Sequence, residues 1–516
     1  MLTPILPSLG LGGACCTSLL SALGGKILLS GSTAYNASLA SYFSAQEEAL
    51  KPTCIVMPDT AHDVAIALRT MTSPSLNMSN IEHGGCQFAI RSGGHTMFAG
   101  AANIDEGVTI DLQGLNSIQV SNDNSTVSVG PGVTWDEIYK TLDPLGLSVA
   151  GGRAAGVGVG GLSLGGGISF FSPRYGWTFD TVSNFQIVLA NGSILDTNLT
   201  QNPALFKALK GGSNNFGVVT RVDIQTFEQG LMWGGKAYHP MSTIDVQIRE
   251  FVKINSADDY DEYASLVTSF GYSTAMGSAI FNQPVYTKSL PNPPPIFETL
   301  LELPTLLSTV RLTNMTDLAM ETGAFQVHGV RFVSLFSQLN IRFCMLKITT
   351  KSPNRHLYLV STVHSTAEVL KAIYQSFNTS LSHIQGVEGI VWSVTLEPLP
   401  PAIYARHAAS NSLGLANRTE ALAVVLVTAD WNDAADDGVI NEAANSLIAD
   451  IDAQAKKLGS WDPYIYLNYA TASQDPISSY GQASVENLQE IRNAFDPAWV
   501  FTRNVPGGFK IPARKA

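Results

Sequence analysis

Gly156-Val157-Gly158-Val159-Gly160-Gly161-Leu162-Ser163-Leu164-Gly165-Gly166-Gly167 is the stretch that decides how this 516-residue chain is built. Seven glycines fall between Ala154 and Pro173. Each glycine in a helix interior costs about 1 kcal/mol relative to alanine, so an ordinary core helix is ruled out. What the run offers is close backbone approach and consecutive N–H groups that can curl around a pyrophosphate. Upstream, Arg91-Ser92-Gly93-Gly94-His95 sets a histidine among glycines. Two such loops suit one large diphosphate cofactor, a flavin in preference to a nicotinamide.

Two other readings fit the same residues less well. Ala154 to Pro173 is an uncharged stretch of twenty residues between Arg153 and Arg174, the length of a membrane span. Its glycine density and the lack of a Leu/Ile/Phe-rich run argue against that. Gly156, Gly158 and Gly161 also spell the GxGxxG of a dinucleotide turn, with Asp180 nineteen residues beyond. That turn needs a regular helix from its third glycine, and Gly165, Gly166 and Gly167 interrupt one almost at once.

Taken together, RSGGHT at 91–96, a following strand ending in Asp111-Leu112, GVGVGGLSLGGGISFFSPRYGWTFDTV at 156–182 and GGSNNFG at 211–217 closely resemble the PCMH-type FAD-linked oxidases of the berberine-bridge-enzyme-like group. YLNY at 466–469, Ser479-Tyr480-Gly481 and Phe495-Asp496-Pro497 resemble the tail of that group. The likeness covers residues 25 to 230 and 460 to 510. It implies an α+β, two-domain PCMH-type FAD-binding fold with an antiparallel-sheet substrate domain. Residues 1–231 would form the FAD-binding domain and 232–459 the substrate-binding domain, with 460–516 returning to the first.

The resemblance also implies site residues. His95 matches the family's covalent attachment point for FAD, and a neutral imidazole flanked by glycines suits that role. Arg91, Ser92, Gly93, Gly94, Val157, Gly158, Gly160, Gly161, Gly165, Gly217 and Val218 are the accompanying cofactor-binding positions. Many relatives carry a second tether through a cysteine where this chain has Ala154, so a flavin attached through His95 only is expected. Val157 stands where a small residue admits O2 to the reduced flavin, which is compatible with an oxidase. Tyr469 and Tyr466 are the candidate catalytic bases. With 466–469 read as a strand, Asn468 would point to the opposite side.

The expected reaction is oxidation of a small-molecule alcohol, amine or activated C–H, with O2 as acceptor, in a natural-product pathway. A carbohydrate oxidase is the alternative, kept open by Trp392 and Trp431 as sugar platforms. So is a flavin-binding protein without net turnover. The formal charge of −12, from 42 acidic and 30 basic residues, offers nothing to nucleic acid or anionic membranes. Neither Cys nor His shows ligand spacing, so no metal is expected. A monomer is expected.

Cys54 and Cys86 bracket the first αβ unit and read either as a disulfide or as two buried thiols. Eight N-x-S/T sequons, at Asn36, Asn77, Asn124, Asn191, Asn198, Asn314, Asn378 and Asn417, point to the secretory pathway. Residues 1–25 lack a basic start, which keeps an intracellular location open.

Periodicity places strands at 54–58, 88–91, 108–112, 125–129, 185–189, 193–196 and 218–225, with helices at 61–71 and 135–142. In Gly389-Ile-Val-Trp-Ser-Val-Thr-Leu-Glu397, alternation sets Trp392, Val394 and Leu396 on one face and Val391, Ser393, Thr395 and Glu397 on the other. The polar face is the one available to substrate. Residues 421–429 read as a buried strand. Ser365 and Glu368 form an expected capping box, and 439–458 a helix ended by Gly459. Val327 to Ser352, rich in Phe, Arg and Lys, reads as a strand pair or as an insertion such as a retained intron.

Overall fold

The computed structural model describes residues 11–73, 76, 85–256, 260–290, 292–327 and 354–514. The stretch from Val327 to Ser352 lies, but for its first residue, outside them. Among the described residues, two small sheets, one two-stranded pair and one large sheet carry the chain. The first sheet runs Ile27–Leu29, Cys54–Val56, Val108–Asp111, Phe88–Arg91 in spatial order, its last three strands parallel. The helix Ala61–Met71 makes the crossover, opened by a capping box between Thr60 and Asp63. The second sheet is antiparallel, ordered Ile118–Val120, Thr126–Val129, Val218–Gln225, Val182–Val188, Ile194–Thr197.

A ten-stranded antiparallel sheet is built from residues 232–462. At its centre lie Ala264–Ser273, Val391–Leu399, Leu422–Trp431 and Arg355–His364, side by side. Trp392, Val394 and Leu396 are fully buried in one core with Val369, Ile373 and Phe377 of the helix Ala367–Ile384. The alternation therefore divides the strand as expected. Trp392 Nε1 donates to Ser380 Oγ at 3.0 Å and Trp431 Nε1 to Asp437 at 2.9 Å. Both indoles belong to the core and offer no platform to a sugar.

The C-terminal residues pack elsewhere. Tyr464, Tyr466, Tyr480 and Leu488 enter the core of the second sheet beside Trp135 and Trp177. Phe88 N–H donates to Asn504 O, and Asn215 Nδ2 donates to Phe509 O.

Three local expectations are corrected. Helix Ala367–Ile384 is capped by Thr366, whose side chain accepts from Val369 N–H; Ser365 lies one residue too early, so Glu368 cannot close a box. Residues 467–469 form a single 3-10 turn instead of a strand, because Asn468 Nδ2 turns back to donate to Leu162 O and Tyr466 Oη.

The third concerns cysteine. Cys54 bonds to Cys16 and Cys86 to Cys15. Adjacent residues on the helix Leu11–Leu23 point about 100° apart, which lets two neighbouring thiols reach two separate segments. The loops closed span 71 and 38 residues. Replacing Cys15 or Cys16 by serine is expected to cost about 2 to 4 kcal/mol, measured by urea unfolding without reductant. A midpoint unmoved from the wild type would contradict a stabilising role for these bonds.

Candidate active site

The two glycine loops meet backbone to backbone. A Cβ on Gly158 would stand 2.3 Å from Gly93 N, and one on Gly93 would stand 2.6 Å from Gly158 Cα. Gly158 has φ −74 and ψ 148, which any residue adopts, so glycine is required here for space alone. Ser92 stitches the contact, donating to Pro131 O at 2.5 Å and accepting from Gly160 N–H at 3.1 Å. A Cβ on Gly160 would meet that same Ser92 hydroxyl.

The other expected cofactor positions have surroundings of their own. The Arg91 guanidinium is buried, donating to Ser38 O and Ser41 Oγ and lying 3.8 Å from the Tyr42 ring centroid. Gly94, at φ +68, leaves room for it. Gly165 makes room for Asn468, whose Oδ1 would lie 2.1 Å from a Cβ there. Val157 is half-buried and accepts from Trp135 N–H. Gly217 packs on the Val188 carbonyl, and Val218 pairs with Val188 in the second sheet. Gly161 is exposed, with nothing within 4 Å of its Cβ direction.

His95 stacks on Phe43 with ring centroids 3.9 Å apart, and its Nε2 is buried without a hydrogen-bond partner. Burial, then the neighbouring His356, pushes the imidazole pKa down to about 4, so it stands neutral. An orphaned, neutral ring nitrogen beside two interlocked glycine loops fits a group that bonds to it. The residues present therefore fit FAD held across Ser92 to His95 and the 156–161 loop.

The second half of the site comes from the large sheet. Glu397 lies on the face opposite Trp392 and is buried. Its Oε1 pairs with Arg153 Nη2 at 2.6 Å and accepts from Tyr469 Oη at 2.9 Å. Arg153 Nη2 also donates to Tyr469 Oη at 2.7 Å. Burial opposes the charge of Arg153, but Glu397 together with Tyr469 and Tyr466 outweighs it and raises its pKa. Glu397 Oε2 is buried and has no partner. Arg153 and Glu397 line one cleft with Ile168, Ser169, Tyr260 and Leu266.

The two candidate tyrosines thus occupy different settings. Tyr469 is in the hydrogen-bonded triad. The Tyr466 hydroxyl accepts from Gly167 N–H and from Asn468, and its ring stacks on Trp177. Burial raises both phenols well above their ordinary range. Glu397 and Arg153 were not among the residues singled out from sequence. A lone acid ending a Ser/Thr-lined strand face was the signal for the first, and nothing marked the second. Ala154, where a second tether would stand, is buried. Ser269 and Thr395 share a 2.6 Å hydrogen bond farther along the same sheet face, as do Ser393 and Thr428.

Known proteins resemble this chain in sequence and in fold. Residues 52–198 match the model of an FAD binding domain family. FAD-dependent monooxygenase CTB5 of Cercospora beticola is 35% identical over 97% of this chain and 92% of its own length. Oligopeptidase PhomG' of Diaporthe leptostromiformis is 42% identical over 94% of this chain, which spans only 36% of that protein. The structure of Physcomitrella patens BBE-like 1 superimposes with a TM-score of 0.74 at 17% identity, covering 97% of this chain and all of that one.

Proposed function

Because this chain belongs to the family of FAD-dependent oxidoreductases that includes CTB5 and has the fold of a berberine-bridge-enzyme-like protein, we propose that it is an oxidase holding FAD covalently through His95 and using Glu397 as its catalytic base. The observation that carries the second half is the buried, unpartnered Glu397 Oε2 in a cleft shared with Arg153. When bound, FAD would supply a two-electron acceptor that discharges to O2.

The protein's own part is proton removal and orientation. Arg153 pairs with one oxygen of Glu397 and fixes it, while Tyr469 donates to that same oxygen. The free oxygen is left to take the proton of a substrate O–H or N–H placed in the cleft. Ile168, Leu266 and Ile403 line this cleft with few charges, which supports a largely apolar natural-product intermediate over an oligosaccharide. The burial of Trp392 and Trp431 supports the same choice.

The relatives' name suggests a second outcome. An oxidase yields one hydrogen peroxide per substrate oxidised, whereas a monooxygenase places an oxygen atom in the product. Peroxide release and product mass, measured over a panel of phenolic and aliphatic alcohols and amines, separate the two. A protein without turnover would give neither.

Acid precipitation tests the tether. Flavin colour should stay with the denatured wild-type chain and be lost from His95→Ala, which should still bind FAD reversibly. Flavin released from the wild type would sink the covalent assignment. The two disulfides and the exposed Asn36, Asn124, Asn191, Asn378 and Asn417 support a secretory location, testable by the mass lost on enzymatic deglycosylation.

A further inference from the structure

Phe43 sits between two histidines. Its ring stacks on His95 at 3.9 Å and 14°, and on its other side His356 stacks at 4.1 Å and 15°. His356 is the second residue of the strand Arg355–His364 of the large sheet, and its Nδ1 lies 2.5 Å from Asp430 Oδ1 on the neighbouring strand. The two are direct cross-strand partners. Asp430 therefore fixes the plane of His356, which in turn fixes Phe43 and His95.

The backbone repeats the link. Phe43 N–H donates to Gly94 O at 3.0 Å, and Ser44 Oγ donates to Thr96 O at 3.0 Å, gripping the histidine loop on both sides of His95. The next two residues grip the sheet. Ala45 N–H donates to Asn354 O, and Gln46 both donates to His356 O and accepts from His356 N–H. Residues 43–46 are thus a strap with one end on the cofactor loop and the other on the substrate sheet.

We infer that Phe43 and the His356–Asp430 pair are positioning residues for covalent flavin attachment, so that the tether forms when the large sheet is docked against the cofactor loops. The inference rests on the proposed His95 linkage. In that step one C–H of the flavin 8α-methyl and the imidazole N–H break, and a carbon–nitrogen bond forms. Two protons and two electrons leave, and O2 takes them as hydrogen peroxide. A face-to-face stack leaves the imidazole edge free while restraining the tilt of its plane. That is the restraint needed to aim a nitrogen lone pair at a single carbon.

The test compares total bound FAD with the acid-precipitable fraction in purified wild type, Phe43→Leu, Phe43→Tyr and Asp430→Asn, with unfolding temperature recorded for each. The Phe43→Leu side chain cannot stack, and Asp430→Asn loosens His356 from the far side of the sandwich. Both variants should bind FAD yet carry a tethered fraction lower by about tenfold or more, in keeping with the 10²-fold that about 1 Å of misplacement can cost. Phe43→Tyr should stay near wild type. Wild-type tethering in both Phe43→Leu and Asp430→Asn would overturn the inference while leaving the His95 linkage intact. Flavin released from the wild type would overturn both. Should Phe43→Leu fail to fold, Asp430→Asn decides the question alone.

Discussion

Glu397→Gln is expected to lower turnover by about 10²- to 10⁴-fold, the range that a positioned general base commonly contributes. Glutamine keeps the shape of the side chain and can still accept from Arg153 and Tyr469, but it takes no proton at neutral pH. The substitution also strips Arg153 of its counter-charge at a site where both side chains are largely buried. Stability should therefore fall as well, by up to about 3 kcal/mol. Glu397→Asp separates the effects. It restores the charge pair, so stability should recover, while the carboxylate sits one methylene farther back and turnover stays depressed. Tyr469→Phe removes one hydrogen bond from the triad and should cost about tenfold or less. The measurement is the rate of flavin bleaching under anaerobic mixing with whichever substrate releases peroxide. Near-normal reduction in Glu397→Gln together with a larger loss in Tyr469→Phe would move the base to Tyr469.

Gly158→Ala should abolish FAD binding and destabilise the protein by about 3 kcal/mol or more. The added methyl would lie 2.3 Å from Gly93 N and 2.6 Å from Gly93 Cα, atoms that cannot rotate away as the end of a side chain would. Either the two loops separate or the local backbone deforms. Since Gly158 is not in the left-handed region, the loss would come from volume and not from backbone strain. Gly161→Ala is the companion experiment. It lies inside the short helix Val159–Gly165 with open space around its Cβ direction. The apoprotein should gain up to about 1 kcal/mol from the helix preference for alanine. Weaker FAD binding with that gain intact would place the cofactor against Gly161. Flavin content, read from absorbance after gel filtration, and thermal unfolding check both variants. A fully loaded Gly158→Ala protein would contradict the interlocked-loop account.

Much of this fold was legible because its signals were local. The helices Ala61–Met71 and Trp135–Leu142 carry their own caps and periodicity, and Val391–Leu399 announces two faces by alternation alone. The glycine loops were legible as a cofactor cradle, but not the reason for each glycine. Gly93 and Gly158 face one another, and Gly165 answers Asn468 from the far end of the chain. A sequence does not display contacts between residues so distant. The same limit hid the Arg153–Glu397 pair, separated by 244 positions, and the His95–Phe43–His356 stack. Cysteine pairing failed for a related reason. Four buried thiols allow three pairings, and which one forms depends on the helix that presents Cys15 and Cys16 together.

The division of the Val391–Leu399 strand between two faces bears on how such a scaffold diversifies. Ser393, Thr395 and Glu397 look one way, while Trp392, Val394 and Leu396 look the other into a sealed core. Neighbouring codons on this strand therefore answer to separate selective pressures. Ser393 and Thr395 are free to follow a new substrate, while Glu397 is held by its proposed role and the positions between preserve the architecture. Drift confined to one set of alternating residues would change what the enzyme accepts without loosening its frame, and recombination within the strand would transfer both traits at once.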